Sequence, residues 1–216
     1  MKNNQTLKEN FDFALENHKK NNLEVAEKLY KKILEIDPNH YLSTVLLGTL
    51  SAQTKNFDLA KQLLEGAIKI NPNHSAAYFN LGSVFNELVD FEKAVGCFKK
   101  TIEINPNYAE AYNNLGNSYK ALKNYVQAIT YYEKAIEINP NYADAYNNLG
   151  NCYKDFGDFQ KAINCYEQAI KYQPGNLAFF YTLSDLKKEI LNLNLRNSIE
   201  KIINDNYCTK RNRLFN

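Results

Sequence analysis

Three asparagines, Asn80, Asn114 and Asn148, stand 34 residues apart in this chain of 216 residues, which contains thirty-two asparagines in all. An Asn side chain carries two N–H donors and an acceptor oxygen. A file of such amides can hold both the N–H and the C=O of an extended peptide, with little regard to its sequence. Asn113 and Asn147 flank the file, and Asn117 and Asn151 lie one helical turn further on. Lys120 and Lys154 fall on the same expected face and would steer an acidic ligand. Plain solvation of exposed Asn and Lys side chains is the competing reading.

Residues for covalent or metal chemistry are scarce and badly spaced. Cys97, Cys152, Cys165 and Cys208 form no CxxC pair, and His18, His40 and His74 complete no zinc pattern with them. The first three cysteines read as small buried apolar residues. His40 and His74 follow Pro-Asn and read as loop residues. There is no phosphate-binding loop, G-x-S-x-G, H-E-x-x-H or dinucleotide fingerprint. The expectation is a chain that is not an enzyme and needs no cofactor or metal.

Positioning such a file requires a repeating frame, and the frame is visible. Pro38, Pro72, Pro106, Pro140 and Pro174 recur every 34 residues; so do Gly48, Gly82, Gly116 and Gly150, and so do Ala26, Ala60, Ala94, Ala128 and Ala162. These markers set five repeats at 7–40, 41–74, 75–108, 109–142 and 143–176. The last two are identical at 17 of 34 positions and share AYNNLGN at 111–117 and 145–151. The first repeat is the least regular, with Ala14 in place of the glycine, as expected of a unit that faces solvent on one side.

Inside repeat four, Tyr112, Leu115, Tyr119 and Leu122 make one helical stripe. After Lys123-Asn124 a second stripe runs through Tyr125, Ala128, Ile129, Tyr132, Ala135, Ile136 and Ile138. Each repeat therefore reads as two short amphipathic helices, with proline ending the second. Asn107, with Glu110 three residues on, reads as the N-cap of the next unit. A mid-helix glycine costs about 1 kcal/mol relative to alanine, so Gly82, Gly116 and Gly150 imply a close approach. The expected partners are Ala94, Ala128 and Ala162 on the second helix. Each hairpin leaves an apolar face for the next hairpin to cover, which predicts an all-α solenoid.

The pattern Tyr112-x-x-Leu115-Gly116-x-x-Tyr119, then Ala128-x-x-x-Tyr132, then Pro140, resembles the tetratricopeptide repeat over about 170 of the 216 residues. The resemblance implies a right-handed superhelix of five helix-turn-helix units whose first helices line a concave groove. It also implies an interaction scaffold that binds a peptide or partner protein there. The Asn file resembles the asparagine ladder of O-linked N-acetylglucosamine transferases. Bacterial proteins with similar Asn- and Lys-rich repeats often carry a sulfotransferase-like or glycosyltransferase-like domain after them. The alternative function is therefore the substrate-recognition region of such a transferase, with its catalytic domain missing from this chain. Some family members clamp chaperone tails with inner-face Lys, Arg and Asn; here Phe11, Asp12, Leu15, Val45, Leu46 and Thr49 occupy the matching positions of repeats one and two, which argues against that use.

The expected groove is not uniform. Phe11, Val45, Leu46 and Phe79 make an apolar segment where later repeats carry amides, suited to apolar anchors of a partner or to self-association. Residues 177–205 keep an apolar stripe through Leu177, Phe180, Leu183, Leu186, Ile190, Leu193, Ile199 and Ile202, and read as one or two capping helices. Residues 206–216 read as a frayed basic tail. The formal net charge of +2, from 26 basic and 24 acidic side chains, argues against a nucleic-acid or anionic-membrane partner. No signal peptide or membrane-length apolar stretch is evident, so a cytoplasmic chain is expected.

Overall fold

A computed structural model describes the backbone of residues 2–213, and the side chains of residues 6–198, 200 and 201. Among the described residues there are eleven α-helices and no strand. The chain divides into two compact units, Met1–Ile138 and Asn139–Asn216. The first holds α1 (Lys2–Lys19), α2 (Leu23–Ile36), α3 (Tyr41–Gln53), α4 (Phe57–Ile70), α5 (Ser75–Glu87), α6 (Phe91–Ile104), α7 (Ala109–Ala121) and α8 (Tyr125–Ile138). The second holds α9 (Ala143–Asp155), α10 (Phe159–Tyr172) and α11 (Leu177–Arg213).

In the first unit consecutive helices pair as hairpins, and each second helix packs on the next first helix. This is the expected all-α solenoid arrangement. The turn inside each hairpin follows one plan. Asn21, Lys55, Val89 and Lys123 take left-handed φ values of 62°, 61°, 62° and 59°, and Gly157 does so at 84°. The next residue's N–H then reaches back to the first helix, as in Asn56 N to Ser51 O at 2.8 Å and Asp158 N to Tyr153 O at 2.9 Å. Asn56, Asp90, Asn124 and Asp158 also cap the second helices, their carboxyl or amide oxygens accepting from Leu59, Lys93, Gln127 and Lys161 N–H.

Between repeats the plan differs from the one the sequence suggested. Asn107 is not the cap of α7. Its N–H instead donates to Asn105 Oδ1 at 3.2 Å, across Pro106. Asp37, Asn71 and Asn139 accept in the same way from Asn39, Asn73 and Asn141. At these four prolines the preceding Asp or Asn side chain closes the turn, because the proline itself has no N–H to offer.

The mid-helix glycines also meet a different partner. A Cβ added to Gly116 would lie 2.6 Å from Tyr132 Cε1, and one on Gly82 2.8 Å from Phe98 Cε1. At Gly48 the neighbour is Leu64 Cγ at 2.9 Å, and at Gly150 it is Tyr166 Cε1 at 2.7 Å. The contact is with the large residue four positions after the alanine. A bare backbone lets that side chain lie against the first helix, and the rings of Tyr132, Phe98 and Tyr166 are fully buried as a result. The alanines are buried too, and so bring the paired helices close.

In the second unit α9 and α10 form the fifth hairpin and α11 packs on α10. Phe179 is buried with Ala143 and Ala169, and Leu186 with Ala162 and Tyr166, where Leu183 and Ile190 also pack. α11 is a single helix running on to Arg213, past the point near residue 205 where the sequence reading ended the cap. The side chains of Ile199, Ile202 and Cys208, and all of residues 214–216, lie outside the described residues.

Candidate functional site

The first helices of the first unit touch one another directly, α3 with α5 and α5 with α7. They build one continuous face, and its side chains repeat at the 34-residue register. Asn80 Nδ2 donates to Thr49 Oγ1 at 2.7 Å, from α5 to α3. Ser118 Oγ donates to Asn86 Oδ1 at 2.8 Å, from α7 to α5, and to the Asn114 carbonyl at 3.0 Å. Sequence places Thr49 on the inner face but does not single out Asn86 or Ser118. Their signal lies in which positions of adjacent first helices meet, and the register of one repeat does not show it.

The sequence-predicted residues divide into two sets. Asn80 and Asn114 are half-buried on this face. Asn113 is only 4% exposed and its Nδ2 approaches Asn114 Oδ1 at 3.4 Å. It therefore supports its neighbour from below the surface. In the second unit Asn147 and Asn148 are half-buried on α9, and Asn147 Oδ1 is buried with no hydrogen bond.

Asn117 and Asn151 serve the core. Tyr132 OH donates to Asn117 Oδ1 at 2.7 Å, and Tyr166 OH to Asn151 Oδ1 at 2.9 Å. A buried phenol needs an acceptor. Where the second helix carries Phe98 or Leu64 instead, the matching first-helix residue is Ser83 or Thr49, so the pair changes together. Lys154 reaches Glu189 of α11 at 3.7 Å, and Lys120 is half-buried.

Most of the apolar segment is a seam rather than a lining. Val45 is 5% exposed, and the Phe11 ring lies 5.3 Å from His40 and 6.3 Å from Tyr30. Phe79 stacks on Tyr108 at 4.8 Å and touches Phe98 at 5.8 Å. Leu46 is half-buried against the cluster of Ala14, Tyr30, Leu47 and Leu50. At the register of Phe11, Val45 and Phe79 the side chain packs between hairpins, with Phe11 against His40 and Phe79 against Tyr108, whereas Leu46 shares the register of Asn80 and Asn114.

Chemically, the face offers amide and hydroxyl donors and acceptors. Among the described residues no group of three or more His, Cys, Asp or Glu is placed to hold a metal ion, and no helix is long and apolar enough to cross a membrane. Burial pushes the Cys97 thiol up to about 12, with Glu65 and Asp90 adding to the shift, far from a nucleophilic value.

Family models described as "Tetratricopeptide repeat" match residues 18–84 and 107–174, and one described as "TPR repeat" matches residues 85–123. The chain is a tetratricopeptide repeat protein. Solved tetratricopeptide proteins share its fold. A crystal structure of MamA is 27% identical, covers 74% of this chain and 94% of its own, and superposes with a TM-score of 0.68. YrrB, whose structure is described as a TPR protein with an unusual peptide-binding site, is 24% identical, covering 80% of this chain and 89% of its own at a TM-score of 0.65. A thermophilic TPR protein of Thermus thermophilus, TTC0263, is 16% identical over 83% of this chain and 98% of its own, at a TM-score of 0.69. No curated protein matches the chain.

Proposed function

We propose that the first-helix faces of the two units are non-catalytic grooves, each binding extended polypeptide of a partner, through the side-chain amides of Asn80 and Asn114 in the first unit and of Asn148 in the second. One observation carries this reading. The 2.7 Å bond from Asn80 to Thr49 joins α5 to α3, so the first helices approach closely enough for polar side chains one repeat apart to act together. Each Asn amide offers a donor and an acceptor, the complement of a peptide group. Such a grip favours backbone over side chains and accepts many sequences. Thr49, Asn86 and Ser118 hold adjacent first helices in register and so set the spacing of the amides. YrrB, of the same fold, is a protein with a peptide-binding site, which is consistent with this use of the scaffold.

The test uses an array of unrelated 15-residue peptides probed with the intact chain. The N114A/N148A double variant is expected to lose at least tenfold in affinity for the peptides captured, with an unchanged helical circular-dichroism melt. N-methylation of alternate backbone amides in a captured peptide is expected to abolish binding. Equal affinity of the double variant and the parent would refute the proposal.

A further inference from the structure

The helix α11 begins as a sixth first helix. The 34-residue register sets Phe180, Ser184 and Lys187 where α9 has Tyr146, Gly150 and Tyr153. In the fifth hairpin those three positions face the second helix: Tyr146 stacks on Tyr172 at 5.6 Å, Gly150 meets the Tyr166 ring, and Tyr153 packs with Ala162 and Tyr166. On α11 the same face is open. A groove of about 400 Å³ runs along it, lined by Phe180, Leu183, Ser184, Lys187, Lys188 and Leu191.

The chain that follows is not built to fill this seat. Register puts Arg196 and Glu200 where α10 carries Ala162 and Tyr166, and Leu191 where Gly157 makes the turn. Two charged residues cannot replace a small and a large apolar one in a closed seam without a high desolvation cost. α11 accordingly runs straight through Leu191.

The filled hairpins state what the seat accepts. It takes an amphipathic helix with a small residue and a large apolar residue four positions later. The residue just before the small one lies over the first helix: Lys161 over the Tyr153 ring at 5.1 Å, and Lys93 over the Phe85 ring at 5.4 Å. On α11 the ring is replaced by Lys187, so a cation there meets a like charge and an anion meets its complement. Lys187 and Lys188 are the ionic side chains lining the groove. Their own pairings, with Glu167 at 3.6 Å and Asp185 at 3.7 Å, are long and solvent-exposed, and leave both ammonium groups available to a closer carboxylate.

We propose that this face of α11 is a docking seat for an amphipathic helix of a partner protein, one that carries an acidic residue immediately before a small residue and a large apolar residue four positions after it, and so completes a sixth hairpin in trans.

The test uses the full chain and a defined probe: a hydrocarbon-stapled, fluorescein-labelled helix with the sequence of residues 159–172 and the change K161E, held under reductant. The unchanged stapled sequence is the comparator. In fluorescence anisotropy at low salt the K161E probe is expected to bind at least tenfold more tightly than its parent. The chain variant K187E is expected to reverse that preference. L191D alters a side chain that is 68% exposed, and is expected to cut binding at least tenfold with no change in the thermal melt. N114A/N148A is expected to leave probe binding intact, which separates this seat from the proposed peptide grooves. Equal binding of the two probes, or insensitivity to L191D, overturns the proposal. So does light scattering that shows a dimer abolished by L191D, which would make a second copy the occupant, or L191D-sensitive sedimentation with phosphatidylserine vesicles, which would make it a lipid surface.

Discussion

Six of the chain's eight glycines lie inside helices, and they divide into two kinds that respond oppositely to the same substitution. Replacing a mid-helix glycine by alanine normally stabilises by about 1 kcal/mol, through helix propensity and reduced freedom of the unfolded chain. Gly66 and Gly96 have nothing within 4 Å of the added methyl, so G66A and G96A keep that gain. At Gly116 the methyl would meet Tyr132 Cε1 at 2.6 Å and Cδ1 at 2.7 Å. The ring has no room to retreat, because Tyr132 is fully buried and its hydroxyl is tied to Asn117 at 2.7 Å. Overpacking of this kind costs about 1–3 kcal/mol. Subtracting the propensity gain and taking the upper part of that range for a clamped ring, G116A is expected to lose about 1–2 kcal/mol. The two kinds of variant should therefore differ by about 2–3 kcal/mol, or roughly 4–12 °C in melting temperature for a chain of this size. Urea unfolding followed at 222 nm measures this, with m-values compared because repeat arrays can unfold in parts. A G116A protein as stable as the parent would refute the close-approach explanation of the glycine register.

Val89 is a β-branched residue at φ 62° and is 68% exposed; V89N should raise stability by about 1 kcal/mol by relieving the left-handed strain, read as a higher urea midpoint. N117A should cost about 1–3 kcal/mol by leaving the buried Tyr132 hydroxyl without its acceptor, and clearly less when Y132F is already present, a coupling that a double-mutant cycle in urea measures. Burial pushes the Tyr30 and Tyr41 phenols up to about 12 from the usual 10. Their folded-state values are raised, so the stability they contribute is whole below pH 10 and is lost as pH climbs towards 12. The melting temperature should hold between pH 7 and 8, begin to fall near 9 as the Cys97 contribution is lost, and fall steeply above 10, and Y30F should flatten the steep part. Tyr41 OH is buried without a hydrogen bond, so Y41F should be neutral or stabilising at pH 7 as well.

Much of the fold was legible because solenoid contacts are local. A hairpin touches its neighbours in sequence, so the 34-residue spacing of Pro106, Pro140, Gly116 and Gly150 already states which helix meets which. Helix type, hairpin pairing and the turn at Lys123-Asn124 followed from periodicity and from the residues that end helices. The spacing of Asn80, Asn114 and Asn148 likewise came from the register alone.

Tertiary structure decided what each side chain does once the helices meet, since a 34-residue period fixes a position's recurrence and leaves its direction open. Phe11, Val45 and Phe79 looked like lining and are seam, because at their register the side chain packs between hairpins, Phe11 against His40 and Phe79 against Tyr108. Asn117 and Asn151 looked like ligand contacts and instead satisfy the phenols of Tyr132 and Tyr166, a need that arises only when those rings are driven against a glycine backbone and out of water. Asn107 does not cap α7: Tyr108 holds the N-cap position, and the Asn107 N–H is spent on Asn105 Oδ1 in the turn around Pro106. Periodicity is a property of the chain, while burial and hydrogen-bond demand are properties of two surfaces brought together. Only the second can tell a core amide from a free one.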